Sequence, residues 1–334
     1  MEDPHGHRIS YLRVSVTDRC NERCQYCMPL AEQDWLPRSE ILSYEEILRV
    51  IRVGAGLGIS KIRVTGGEPL TRRDLVWFLE RVARTPGIRD LGLSTNGTLL
   101  ARRLPDGRIT ARALRDAGVR TVNISLDTLD RSTYAKATGR DFLPEVLAGI
   151  NAAKEAGFEK IKLNTVLMRH RNDHELWDLA AFAREEGLLL RFIELMPVST
   201  TEVLTEENFL PVGEAKRLLE FRLGKLRPRP DIRTNGPAAY HEVPGSGQIL
   251  GFIGAMTNPH FCETCNKLRL TAEGKLRPCL GSHLEFDLRE ALRDPSVAEA
   301  DLADLLLGVV ARKPERHDFL ENYQPGRRMI AIGG

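Results

Sequence analysis

The chain carries six cysteines in two groups of three. Cys20, Cys24 and Cys27 have C-x3-C-x2-C spacing, and Cys262, Cys265 and Cys279 have C-x2-C-x13-C spacing. The polar, acidic start Met1-Glu-Asp-Pro-His5 predicts no secretory leader, and thiols this close in a cytosolic chain more often hold metal than form disulfides. A [4Fe–4S] cluster usually takes four thiolates, so three would leave one iron open to a ligand. A closed zinc site needs a fourth protein ligand. No histidine lies between Cys20 and Cys27, and His5 and His7 are too far upstream for a compact finger, so the first group reads as iron–sulfur. For the second group His260 offers a Cys3His alternative, and spacing alone leaves zinc and iron–sulfur both open.

A further set of residues is cationic and sits inside apolar runs. Arg13, Arg63, Lys162, Arg191 and Arg269 each stand between two aliphatic or aromatic neighbours. In a strand, alternation turns such a cation to the face opposite its neighbours. If helices cover the outer face, these charges point inward, where an unpaired cation costs several kcal/mol. The pattern therefore predicts a polyanionic ligand such as a phosphate ester.

The elements that would position these residues alternate between β and α. Strands are expected at 11–17, 61–65, 90–95, 120–126, 160–167 and 189–195, with amphipathic helices between them. Ser43-Tyr-Glu-Glu46 reads as a capping box with Leu42 and Ile47 as its staple, and Asp173 as the cap of a helix ending at Gly187. Six βα units predict a partial (βα)6 barrel of the TIM type, with a doubly wound sheet as the alternative. The first cysteine group, Gly66-Gly-Glu-Pro69, Asn96-Gly97, Asp127 and Met196 all follow strand ends, where such barrels keep their active sites. After residue 197 the rhythm breaks. Residues 198–247 read as irregular, followed by short strands around the second cysteines and a partly helical end. The expected division is 1–197 for the barrel and 198–334 for a C-terminal α+β domain carrying the second group.

Composition excludes several classes. Lysine and arginine total 48 against 46 acidic residues over 334 positions, so the cationic patch is local and a nucleic-acid binder acting through overall charge is not expected. No apolar run is long enough to span a membrane, and a cytoplasmic location is expected.

The run Leu12-Arg-Val-Ser-Val-Thr-Asp-Arg-Cys-Asn-Glu-Arg-Cys-Gln-Tyr-Cys-Met-Pro29 resembles the start of radical S-adenosylmethionine (SAM) enzymes. With Thr65-Gly-Gly-Glu-Pro-Leu70, Ser94-Thr-Asn-Gly97, Asn123-Ile-Ser-Leu-Asp127, Arg191-Phe-Ile-Glu-Leu-Met196, Phe261-Cys-Glu-Thr-Cys-Asn266 and the Gly333-Gly334 tail, it is similar nearly end to end to the GTP 3′,8-cyclase family of molybdenum cofactor biosynthesis. The resemblance implies two [4Fe–4S] clusters, the first on Cys20, Cys24 and Cys27, the second on Cys262, Cys265 and Cys279. It implies SAM contacts from Tyr26, Gly67, Ser125 and Met196, and GTP contacts from Arg13, Arg63, Ser94, Lys162, Lys267, Leu268 and Arg269. It further implies SAM cleavage by one electron from a reductant, hydrogen abstraction from C3′ of GTP, and closure onto C8. The product would pass to cyclic pyranopterin monophosphate synthase, and a homodimer is a possible assembly. Lys267 stands where the family usually has arginine and Ser94 where threonine is common. Residues 101–110 look longer than expected and read as a surface loop. A radical SAM enzyme acting on a peptide is the nearest rival, and a zinc-stabilised binding protein the rival from another class.

Overall fold

The structure is a computed structural model that describes residues 1–28, 35–199, 203–232, 234, 236–321, 323–324 and 326–333. Its first six strands are β1 (Tyr11–Ser15), β2 (Lys61–Thr65), β3 (Asp90–Thr95), β4 (Thr121–Ser125), β5 (Lys160–Leu167) and β6 (Leu189–Glu194). They pair in sequence order and all in parallel. Alternation sorts their side chains as the sequence predicts. Leu12, Val14, Ile62, Val64, Leu93, Val122, Ile124, Leu163, Leu190 and Phe192 are buried on the outer face and form one continuous core with the helices. The opposite face keeps the cations.

The helix Tyr44–Gly56 begins as expected. Ser43 Oγ accepts from the Glu46 amide while the Glu46 carboxylate accepts from the Ser43 amide, which satisfies two otherwise orphaned donors. The helix before β6 begins differently. Asp173 is not its cap but opens a short 3₁₀ turn, Asp173–Glu175, ahead of the helix Leu176–Glu185. Glu175 takes over as the local anchor, accepting from Thr128 Oγ1 and the Leu129 amide. Gly187 follows with φ near +69°, as a left-handed helix end requires.

Residues 198–247 are less irregular than the sequence suggests. They contain the helix Val212–Leu223 and the strands β7 (Arg227–Pro228) and β8 (Ala239–Glu242). The flanking Pro and Gly residues hid a helix whose apolar positions are few: only Ala215 and Leu219 are buried. The expected loop at 101–110 is a small exposed hairpin, closed by a bridge between Arg103 and Ile109.

The strands of the C-terminal part extend the same sheet at both edges. β9 (Ile249–Ile253) lies parallel to β6, with β8 and β7 antiparallel beyond it. At the far edge β10 (Lys267–Leu270) lies parallel to β1, followed by antiparallel β11 (Lys275–Arg277) and β12 (Phe286–Asp287). The observed architecture is therefore an open parallel barrel sheet whose two edges are completed by the later segment. Glu194 joins the parts: its buried carboxylate accepts from the amides of Val212, Met256 and Thr257. Among the described residues no helix is long and apolar enough to cross a membrane.

Candidate active site

One cavity of about 700 Å³ occupies the inner face of the sheet, and both cysteine groups line it. Strand direction places them at opposite ends. Cys20 follows the C-terminal end of β1, whereas Cys265 precedes the start of β10, which runs parallel to β1 with Lys267 level with Tyr11. Cys279 joins Cys265 because β11 runs back antiparallel to β10.

The loop of the first group is held by backbone contacts that only glycine permits. The Gly67 amide donates to Thr17 O at 2.7 Å and the Glu68 amide to Arg19 O at 2.8 Å. A Cβ on Gly67 would stand 2.4 Å from Arg19 O. Downstream, the Cys27 and Met28 amides both donate to Cys24 O, and the Glu22 amide points at Cys20 Sγ at 3.4 Å. Tyr26 donates to Asp127 Oδ2 at 2.8 Å, and Asp127 is fixed in turn by the Val166 amide.

This end of the cavity is rich in groups that resist bearing negative charge together. Burial first, then Glu68, pushes the Cys20 thiol up to about 12. Burial raises Cys24 and Cys27 as well. Burial also lifts Glu22 and Glu68 to about 7 and Asp127 to about 6. Three thiols and three reluctant carboxylates make an environment that favours a cationic guest. The opposite charge prevails across the rest of the inner face.

Arg63 crosses the barrel floor. Its Nε donates to Tyr11 Oη at 3.0 Å, Nη1 to Leu93 O at 2.9 Å and Nη2 to Thr121 Oγ1 at 2.8 Å. Gly92 makes room for it, since a Cβ there would lie 2.5 Å from Arg63 Nη2. Arg191 donates through Nε and Nη2 to Asn164 Oδ1. Lys61 pairs with Asp90. Among the described residues no carboxylate lies within ion-pair distance of Arg63, Lys162, Arg191, Lys267 or Arg269. Burial, then Arg191 and Arg63, lowers Lys162 to about 7. Burial, then Arg13, lowers Arg269 to about 9. Burial also lowers Lys267. Tyr11 answers the same field: burial pushes it up, but Arg63, Arg13, Lys61 and Lys267 together bring it down to about 7.

Nearly all the residues singled out from the sequence meet here. Arg13, Arg63, Ser94, Lys162, Lys267 and Arg269, with Tyr26, Gly67, Ser125 and Met196, line the cavity. Leu268 does not: alternation between Lys267 and Arg269 turns its side chain into the apolar core, fully buried. His260 does not complete a zinc site either. It is exposed and paired with Glu263. Among the described residues no three His, Cys, Asp or Glu side chains gather closely enough for a single metal ion. A four-iron cube spreads its thiolates wider than a lone ion does, so three separated thiols facing one cavity are a donor set that fits a cluster.

Gly334 lies outside the described residues, but Gly333 shows where the tail goes. Its carbonyl accepts from Arg269 Nη1 at 2.9 Å. Its φ is +82°, and a Cβ would stand 2.8 Å from Thr65 Cγ2 and 3.1 Å from Ser15 Cβ. Met329 and Ile330 also line the cavity. Arg327 adds no charge to the site, because it is held between Glu273 and Glu285. Sequence reasoning passed over Tyr11, Lys61 and Asn123, which face the cavity. The same alternation that found Arg13 and Arg63 would have placed them.

The comparisons agree with this geometry. Residues 14–183 match the model of the radical SAM superfamily, and residues 188–319 match that of Molybdenum Cofactor Synthesis C. The chain is 43% identical over 334 residues to the GTP 3′,8-cyclase of Pelotomaculum thermopropionicum, covering 100% of both chains. It is 47% identical over 341 residues to that of Erythrobacter litoralis, covering 99% of this chain and 98% of the relative. The fold is similar to that of Streptococcus suis SuiB bound to S-adenosylmethionine, with a TM-score of 0.62 at 15% identity over 89% of this chain and 68% of that one.

Proposed function

Because the chain belongs to the GTP 3′,8-cyclase family of the radical SAM superfamily, we propose that the two ends of its cavity divide the reaction between them. The enzyme converts GTP to 3′,8-cyclo-7,8-dihydroguanosine 5′-triphosphate in molybdenum cofactor biosynthesis, using SAM and a [4Fe–4S] cluster. The single observation that carries the division is one cavity with a thiol- and carboxylate-lined end and, across the rest of its inner face, a cationic field in which Arg63, Lys162, Arg191, Lys267 and Arg269 have no carboxylate within ion-pair distance among the described residues.

Cys20, Cys24 and Cys27 would hold the first cluster, and Tyr26, Gly67, Ser125 and Met196 would line the SAM site beside it. When bound, the cluster and SAM supply the one-electron chemistry that removes hydrogen from C3′ of GTP. Arg13, Arg63, Lys162, Lys267 and Arg269, with Ser94, would receive GTP, whose triphosphate is an anion suited to a buried cationic field. Leu268 would contribute only through its backbone. The strand frame holds these groups before substrate arrives, so little orientation is left to the reactive step. Cys262, Cys265 and Cys279 would hold a second cluster at the far end, facing the base. The tail through Gly333 would close the cavity against water.

The wider reading assigns 1–197 to the barrel and 198–334 to the part carrying the second cluster. It includes a one-electron reductant, a cytoplasmic setting, delivery of the product to cyclic pyranopterin monophosphate synthase, and a homodimer. The test of the divided cavity is the triple variant Cys262→Ser, Cys265→Ser, Cys279→Ser. Iron should fall from about eight to about four per chain, SAM binding should persist, and GTP binding should be lost. Unchanged GTP affinity would remove the second group from the substrate site.

A further inference from the structure

Lys313 is a buried lysine that the sequence does not single out, being only 4% exposed. It follows the helix Glu299–Val310 and is pinned on both sides. Its amide donates to Val310 O at 3.1 Å, and its carbonyl lies 3.1 Å from His5 Nε2. The ammonium has three hydrogens to place and three acceptors around it. These are Pro278 O at 2.6 Å, Lys267 O at 3.3 Å and Cys265 Sγ at 3.5 Å. Pro278 immediately precedes Cys279, and Lys267 lies two residues after Cys265. One side chain therefore ties together the two segments that carry the second cysteine group.

Hydrogen bonding alone does not account for a charge here. Two of the three acceptors are neutral carbonyls, which a neutral donor would serve, and among the described residues no carboxylate pairs with Lys313. A buried ammonium is costly unless an anion balances it. The one acceptor able to carry negative charge is the sulfur of Cys265. We infer that Lys313 is the positioning residue of the second cysteine group, fixing the segments of Cys265 and Cys279 and supplying the charge that balances a thiolate-bound cluster there. This rests on the second-cluster reading above. Partners beyond the ligands routinely orient and tune metal sites, and charge and hydrogen bonds to sulfur set cluster potentials.

The test compares the wild-type chain, Lys313→Gln and Lys313→Met after anaerobic reconstitution. Glutamine keeps donors for the carbonyls without the charge, and methionine removes both. Folding is checked by circular dichroism, iron and sulfide are counted, and the potential of each cluster is titrated by electron paramagnetic resonance. Lys313→Gln should fold and either lose about four of about eight irons or hold a second cluster of more negative potential, the first cluster being unmoved. Lys313→Met should lose the second cluster more completely. If Lys313→Met does not fold, the glutamine variant decides alone. Full iron and an unshifted second potential in Lys313→Gln would overturn the inference while leaving the second cluster standing. About four irons in the wild-type chain would instead overturn the second-cluster reading and the inference with it.

Discussion

Substituting Gly92 by alanine tests whether the floor of the cavity is built around Arg63. The backbone at Gly92 lies outside the left-handed region, so alanine brings no conformational strain. The added methyl would stand 2.5 Å from Arg63 Nη2, 2.7 Å from its Cζ and 2.7 Å from Thr121 Oγ1. Those distances are too short to keep, and the guanidinium is the part that can move. Moving it breaks at least the Nη2 bond to Thr121 Oγ1 and disturbs those to Tyr11 Oη and Leu93 O. A hydrogen bond from a charged group contributes about 1.5–3 kcal/mol. If GTP binding needs Arg63 in place, affinity should fall roughly tenfold to a hundredfold, since each 1.4 kcal/mol is a factor of ten. Isothermal titration of the reconstituted protein under anaerobic conditions measures this, with SAM affinity as the internal control. Gly92→Ala should also add little in an Arg63→Met background, because the group it displaces is gone. A GTP affinity within about twofold of wild type would refute the role given to Arg63.

Lys267→Ala should weaken GTP binding by about 1.5–3 kcal/mol, while Lys267→Arg should preserve or improve it through a planar fork; an unchanged dissociation constant for the alanine variant would place Lys267 outside the site. GTP affinity should fall as pH rises above about 7, because Lys162 and Tyr11 both titrate near 7 in the free site. Above that pH the free protein has a neutral lysine and a phenolate, and a bound polyanion favours their protonated forms, so binding takes up protons. Each group contributes up to about tenfold per pH unit; titrations above neutrality should show the slope, Lys162→Met should reduce it, and a flat profile would contradict the shifts. Deleting Gly333 and Gly334 should leave iron content and melting temperature nearly unchanged while slowing cyclisation at least about tenfold, equivalent to about 1.4 kcal/mol on the barrier. A full-length rate from the truncated enzyme would reduce the tail to a frayed end.

What the sequence made legible, and what it did not, follows from the range of the forces involved. Strand alternation is local, so the inward turn of Arg13, Arg63, Lys162, Arg191 and Arg269 was readable before any fold was known. So was the capping box at Ser43, whose two partners lie three residues apart. The closing of both sheet edges by β9 and β10 was not, because pairing between segments 60 (Leu190 with Leu250) and 256 (Tyr11 with Lys267) residues apart leaves no local trace. The helix Val212–Leu223 was missed because it buries too few residues to show a periodic stripe. Arg327 stands close to the tail, but the partners that neutralise it, Glu273 and Glu285, are both distant in sequence. Lys313 is the same case reversed, since nothing near it in the chain announces that its ammonium ends at Cys265. Leu268 was carried into the substrate set with its neighbours, against the alternation that sends its side chain to the core.

The central claim is that one cavity brings SAM, at the first cysteine group, to the ribose of a GTP held by the strand cations. The most direct measurement is an anaerobic incubation of the reconstituted enzyme with SAM, a strong one-electron reductant and GTP deuterated at C3′. The account predicts 5′-deoxyadenosine carrying the deuterium and a matching amount of 3′,8-cyclo-7,8-dihydroguanosine triphosphate. Unlabelled 5′-deoxyadenosine with GTP left intact would contradict it.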